Sequence, residues 1–445
     1  MAGEEQMPAQ GWQTMKAEAE SISLGERHTT VHVVSRDWFR ATAASVIVLV
    51  YLAHTLRNLT PLYVIALGLT YIFGLTCLIG SIRIPRSRMS LAGLYGVFIA
   101  YSAYVAVWSV LYLGRMDILG AIGRLFVGPL IAAVLYPFLR SEASGWRLIH
   151  IYLFVFVVAV CTYVYQFATG PISWFNEPGA PRGGLARFAT NLGSLTIYGT
   201  AVGVAFLFVF GSRMSIWLKV GLTCVLLAGC AFSVQKAAFV NVGLAALGGM
   251  WLSTWKSRFK AMALVSVILL FLVVGGRQIL GANLTRYVDA LSVNTIGVSV
   301  FGSNVRQDDS LSSSRITERV YRMVADDILI NHDPVIVFTM GIGLIGGGGG
   351  MGMDAPQAHN SLWDLLLMGG VGYLVVFLLL YYKVQQVLLK SHRRFAHVLF
   401  AANVIFLFNA TASSAHMFHP ITSFPFWLSL VVAIRSGGRW VRSEL

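Results

Sequence analysis

The chain reads as an all-α polytopic membrane protein with about 12 transmembrane helices and one large, partly helical outer loop between helices 9 and 10. Three observations predict this. Apolar residues make up 56% of the 445 and charged residues only 12%, where a soluble domain carries roughly 25% charge. The charges are bunched into short gaps between long uncharged runs, and a span needs about 20 apolar residues. Lysines and arginines also crowd alternate gaps, which fixes a direction across the bilayer.

Residues 1–40 open MAGEEQMPAQ and lack the basic region, short apolar core and small-residue cleavage site of a signal peptide. They read as a cytoplasmic tail. Spans 1–9 follow within 41–276, at 41–56, 61–82, 90–113, 118–139, 147–168, 188–211, 215–233, 237–254 and 261–276. The break between the seventh and eighth is a few residues around Gln235 and Lys236. Spans 10–12 occupy 361–382, 396–412 and 420–434, and 435–445 form a second cytoplasmic tail. With the N-terminus inside, the cytoplasmic side receives Arg83, Arg86, Arg88, Arg140, Arg147, Arg213, Lys256, Arg258, Lys260, Lys390, Arg393, Arg394, Arg435, Arg439 and Arg442. The outer short loops hold little beyond Arg57, Arg115, Arg182, Arg187 and Lys236. This bias accounts for the net charge of +14 without nucleic acid as a partner. Cys77, Cys161, Cys224 and Cys230 fall inside apolar runs and read as packing residues rather than disulfide or metal partners.

The outer loop spans 277–360, where acidic residues reappear. Loops of this length are usually functional. Within it, SSSRITERVYRMVADDIL offers serine caps before a periodic run. Ile316, Val320, Met323, Val324 and Ile328 share one face. Arg315, Arg319 and Arg322 recur at i, i+4 and i+7 on another. That stripe is either a solvated face with acidic partners or one turned to substrate. The glycine run Gly346–Gly350 lacks the ending of a P-loop and reads as a mobile connector or lid hinge. No Asp-x-Asp pair or His/Cys cluster points to a metal, and no cofactor is expected.

The loop ends in APQAHNSLWDLLLMGGVGY, which sets His359 and Asn360 at the rim of an apolar run. An imidazole there serves either as a helix cap or as a proton acceptor, since its reference pKa of about 6.5 leaves it mostly neutral. Arg124 in the fourth span and Asp364 near the start of the tenth are charges within apolar runs, which normally face a cavity or a partner. His416 and His419 belong to the last outer loop.

These features resemble the O-antigen ligase and polymerase superfamily of bacterial envelope enzymes. Its ligases carry His, a polar residue, nine residues, Gly, two residues, then Gly, Thr or Tyr. Here His359-Asn360 is followed by nine residues, Gly370, Val371-Gly372 and Tyr373. RGGLARFATNLGSL, from Arg182 to Asn191 and beyond, is similar to the family's outer Arg-x-x-Gly…Asn element, with the interior glycine out of register. SSSR at Arg315 is similar to its loop-helix opening. FSVQKAAF is similar to its Ser-Arg element, with Lys236 where the family has arginine, so the charge is kept and the planar fork lost. The resemblance implies an inner-membrane enzyme with both termini cytoplasmic and its active site at the periplasmic face. It implies a glycan donor on undecaprenyl pyrophosphate and, as acceptor, lipid A-core for a ligase or a second lipid-linked glycan for a polymerase. His359 would be the general base, and Arg315 and Lys236 would meet the leaving pyrophosphate. Arg182, Asn360, Asp364, Arg319 and Arg322 would bind substrate. Two other classes stay open: a secondary transporter or flippase, and a non-catalytic assembly partner.

Overall fold

The computed structural model describes residues 89–113, 119–139, 141–172, 175, 179–182, 185–193, 196–233, 235–252, 332–350, 360–411 and 417–436, with scattered positions between 65 and 75. All lie in the unit Ser45–Leu445. The expected first and ninth spans, the tail 1–40 and most of the outer loop fall outside the described residues.

The described chain is almost wholly helical. In order come α1 (Met89–Leu113), α2 (Leu119–Phe138), α3 (Glu142–Thr169), a hairpin of β1 (Gly179–Arg182) and β2 (Leu185–Arg187), α4 (Ile197–Gly211), α5 (Ile216–Ser233) and α6 (Lys236–Leu252). Then follow α7 (Pro334–Thr339), a 3-10 segment (Gly343–Gly350), α8 (Ser361–Lys390), α9 (Arg394–Ala410) and α10 (Pro420–Ser436). Among the described residues, five helices are long and apolar enough to cross a membrane: α1, α2, α3, α5 and α8. The molecule is an all-α, multi-pass membrane-type protein.

Helix α4 is the centre. Every residue of it but Phe210 is buried, although no polar face distinguishes it in sequence. Its glycines let neighbours approach closely, as small residues do between helices in lipid. A Cβ at Gly203 would stand 2.7 Å from the Asn241 carbonyl of α6, and one at Gly211 would stand 2.4 Å from Val398 of α9. Two buried amides lock the three helices. Asn241 Nδ2 donates to Asn409 Oδ1 at 3.0 Å and Asn409 Nδ2 returns the bond to Asn241 Oδ1 at 2.7 Å. The same amides reach the α4 carbonyls of Gly199, at 3.0 Å, and Thr200, at 2.9 Å.

Asn241→Leu strands the Asn409 amide, so it is expected to cost about 1–3 kcal/mol. The double change to leucine should cost less than the two single changes together, since it removes both halves of the pair. Unfolding of the single and double variants in detergent checks this, and strict additivity would refute the coupling.

These contacts also set direction. Thr200 at the start of α4 meets Asn409 at the end of α9, while Gly211 at its end meets Val398 near the start. Helix α6 runs parallel to α4, from Gly199–Asn241 to Leu207–Gly248. Helix α8 returns beside α9, where the Tyr381 hydroxyl donates to the Asn403 carbonyl at 3.0 Å. Helix α10 ends beside α2, with Arg435 donating to Tyr136 O at 2.9 Å through Nε. The starts of α4, α6, α8 and α10 therefore share one end of the bundle. Arg147, Arg213, Lys219, Lys390, Arg393, Arg394 and Arg435 lie toward the other.

Three expectations change. The sixth span was expected from 188, but its helix begins at Ile197. Residues 188–193 form a buried turn in which Gly193, at φ 111°, bridges back to Thr190, and Asn191 Nδ2 donates to the Val155 carbonyl of α3 at 3.3 Å. The tenth span, expected to end at 382, continues as helix to Lys390. Of the cysteines, Cys230 is buried as expected, whereas Cys161 and Cys224 are exposed.

Candidate functional site

The motif His359-Asn360-x9-Gly370-x2-Tyr373 is laid out along the start of α8. His359 itself is outside the described residues. Asn360 is the N-cap: its backbone is extended, and its Oδ1 accepts from Leu362 N at 3.0 Å and Trp363 N at 3.3 Å. This satisfies two of the donors that a helix start leaves open. The Asn360 side-chain oxygen expected to bind substrate is thus engaged in starting the helix. Asp364 sits in the first turn, fully buried, and its N–H donates to Asn360 O at 3.0 Å. A carboxylate there lies at the favourable, positive end of the helix dipole.

One turn further on, α8 breaks. Gly369 has φ −135° and ψ 16°, and Gly370 has φ 71° and ψ −175°. An interrupted helix leaves backbone groups without their own partners, which in an apolar setting must be met by neighbouring chain. The segment 334–346 does this. Ile342 N donates to Leu367 O at 2.7 Å, replacing the partner that a continuous helix would supply. Glycines make the approach possible. A Cβ at Gly341 would be 2.4 Å from Met368 O, at Gly346 2.6 Å from Leu367 C, and at Gly370 2.3 Å from Thr339 O. Val337, Ile342 and Leu367 close a small core beneath, flanked by Ile345 and Trp363.

Helix α1 braces the other side. Tyr104 Oη donates to Met340 O at 3.0 Å and Trp108 Nε1 to Gly341 O at 3.0 Å, while Leu344 N donates to Ser109 Oγ at 2.8 Å. The end of the motif belongs to this brace. Tyr373 is fully buried, its hydroxyl is 2.8 Å from Ser102 Oγ, and its ring stacks on Phe98 at 5.2 Å. Gly372 leaves room for the Tyr101 side chain, whose hydroxyl is 2.4 Å from where a Cβ would be. So Gly370, Gly372 and Tyr373 are architecture: they allow α8 to break and hold it broken.

The glycine run is part of the same device. Expected to be a mobile connector, Gly346–Gly350 instead completes a 3-10 segment whose first part lies against α1 and α8. Consecutive glycines signal chain freedom and close backbone approach alike, and at Gly346 the close approach is observed. A stronger local signal was present: Asp333-Pro334 is a helix start, with Asp333 Oδ1 accepting from Val335 N at 2.8 Å and proline in the first turn.

Of the other expected residues, those that are described lie toward the same end. Lys236 opens α6, directly after Gln235. Gln235 is buried and its Oε1 accepts from Gly199 N at 3.1 Å, which ties this break to the start of α4. Arg182 closes β1 of the short hairpin that precedes the buried turn carrying Asn191. Arg315, Arg319, Arg322 and His416 fall outside the described residues. His419 stands at the start of α10: its carbonyl accepts from Ser423 N at 3.0 Å and its Nδ1 from Ile421 N at 3.3 Å. Arg124 lies half-buried on α2. The sequence reading missed Asn241 and Asn409, whose signal is an amide inside an otherwise apolar run, and placed Gln235 at the break between spans without the bond it makes to α4.

The chain matches no protein-family model and no curated protein.

Proposed function

We propose that the chain is a metal-independent glycan transferase of the O-antigen ligase and polymerase type, in the inner membrane of a bacterium. In this reading it has twelve spans, cytoplasmic termini and a site at the periplasmic face. It moves a glycan from undecaprenyl pyrophosphate to an acceptor hydroxyl, with lipid A-core as the favoured acceptor and a second lipid-linked glycan as the alternative. The observation that carries the reading is the fit between the histidine motif and α8. Asn360 starts the helix, Gly370 breaks it and Tyr373 secures the break, so the spacing of the motif after the histidine has a physical reason. Support for the orientation comes from the basic residues gathered at the opposite end of the bundle.

The chemistry asks for a base and for cations. The acceptor hydroxyl is a weak nucleophile until its proton is removed, which a neutral His359 does. Negative charge develops on the departing pyrophosphate, and Arg315, Lys236 and Arg182 would stabilise it. Arg319 and Arg322 would extend the same basic face toward the donor. Direct displacement inverts the anomeric carbon, and the donor is already activated, so no nucleotide enters. The test is reconstitution of the purified chain with a lipid-linked glycan plus either lipid A-core or a second lipid-linked glycan. A capped lipid A identifies a ligase, and a lengthened carrier-linked chain a polymerase. If neither forms, the reading fails.

One observation favours a second reading. Discontinuous helices are characteristic of secondary transporters, and α8 is broken at Gly369 and Gly370. Counterflow of a labelled solute or lipid-linked glycan in proteoliposomes, without covalent product, separates this reading from the first.

A further inference from the structure

We propose that α7 is the inward limb of a re-entrant segment, which dips into the bilayer from the end where α8 starts, turns back at 341–343 and rests Phe338 and Met340 on the acyl chains of that leaflet. The inference rests on α1 and α8 as membrane spans and not on the glycan reading, so the two stand or fall separately.

The path is read along α8. Asp333, the exposed N-cap of α7, is where the limb leaves water. Val337 packs with Leu367 beside Trp363, and further on Thr339 O is the atom that a Cβ on Gly370 would meet at 2.3 Å. The chain then climbs again. A Cβ on Gly341 would meet Met368 O at 2.4 Å, Ile342 N donates to Leu367 O at 2.7 Å, and Leu344 N donates to Ser109 Oγ of α1 at 2.8 Å. Gly341 and Gly343, at φ 78° and 70°, make the turn. Its depth follows from α1. Tyr104, which donates to Met340 O, lies nine residues before the end of α1 at Leu113, about 14 Å by the helical rise. The 25 residues of α1 extend about 38 Å, about 8 Å more than a hydrocarbon core of about 30 Å. With that whole surplus placed at this end, Tyr104 still stands about 6 Å inside the hydrocarbon. Helical side chains lean toward the helix start, which carries its hydroxyl deeper.

The side chains exposed along this limb are apolar: Val335, Phe338 and Met340 are 67%, 37% and 38% exposed. The Thr339 hydroxyl donates back to Val335 O at 2.5 Å, which satisfies it within the helix. The face continues the outward surface of the flanking spans. Val107, between Tyr104 and Trp108 on α1, is 59% exposed, and Val371, next to Gly370 on α8, is 48% exposed. Hydrocarbon tolerates helical backbone at its surface, but irregular backbone only under protein. The segment divides in just that way. Met340 N and Gly341 N close the helix onto Ile336 O, whereas Gly341, Ile342 and Gly343 are buried. The carbonyls of Met340 and Gly341 accept from Tyr104 and Trp108. Acyl chains suit such a face, since the side chains it offers are apolar and the turn's polar groups are already met from within.

The test uses the full, unaltered chain reconstituted in vesicles of phosphatidylethanolamine and phosphatidylglycerol. Separate samples are photolabelled with a carbene precursor carried on a lipid acyl chain and with a water-soluble one, and modified residues are read by peptide mass spectrometry. Phe338 and Met340 are expected to take the lipid-borne label at yields comparable to those of Val107, and several-fold above that of Asp333. The water-soluble label should show the reverse order. Water-soluble labelling of Phe338 and Met340 at the level of Asp333 overturns the proposal in favour of a solvated loop. Labelling of the two by neither reagent, while Val107 takes the lipid-borne one, also overturns it, since another part of the chain or a second copy then covers the face.

Discussion

His359→Ala is expected to lower the rate of glycan transfer by about 10²–10⁴, the usual contribution of a positioned general base. The variant should fold normally, because Asn360 secures the start of α8. That division supplies a control. Asn360→Ala removes the cap, so it should cost about 0.5–2 kcal/mol of stability. Asn360→Asp keeps an oxygen acceptor and should retain the cap. A base must be unprotonated to act, so transfer by the unaltered chain should rise as pH climbs through the histidine range near about 6.5. Initial rates with lipid-linked donor, measured across pH for each variant, separate the roles. Full activity in His359→Ala would remove the histidine from the chemistry.

Gly370→Ala is expected to destabilise the protein by more than about 3 kcal/mol, which is large for one methyl group. Two costs add. Gly370 has φ 71°, where an L side chain is strained, and a Cβ there would lie 2.3 Å from the Thr339 carbonyl oxygen. The neighbours cannot yield simply, since the atoms that Cβ would meet are backbone atoms of Thr339 and Phe338. Gly93 on α1 is the comparison, because a Cβ there meets nothing within 4 Å. Gly93→Ala should be neutral or stabilising by about 0.5–1 kcal/mol, through lost chain freedom in the unfolded state. Unfolding of both variants in the same detergent decides the matter. Similar stabilities would mean that the break in α8 is not held as described.

Much of this architecture was legible from elementary patterns. Apolar runs gave nine of the described helices close to their observed positions, because in hydrocarbon the backbone must satisfy itself and helices do so locally. The short gap at Gln235 and Lys236 was legible for the same reason. The buried turn at 188–193 was not, since Phe188, Ala189 and Leu192 prolong the apolar run backwards and the polar Thr190 and Asn191 are buried like its other residues. Nor was the insertion of 334–346, whose role depends on a helix break in α8 later in the chain. Hydropathy measures how well a segment tolerates lipid, and this segment is apolar whether it crosses, turns back or lies beside a neighbour. At the site, spacing identified the motif, but why its glycines and tyrosine recur could be read only from contacts that reach α1 and the inserted segment.

The exchange of partners at Leu367 bears on how the protein is made. Its carbonyl is satisfied by Ile342, which leaves the ribosome ahead of it, so the inserted segment is already waiting when α8 enters the bilayer. A translocon releasing α8 sideways by itself would deliver a bare carbonyl into oil. The two pieces therefore have reason to leave the channel together rather than span by span.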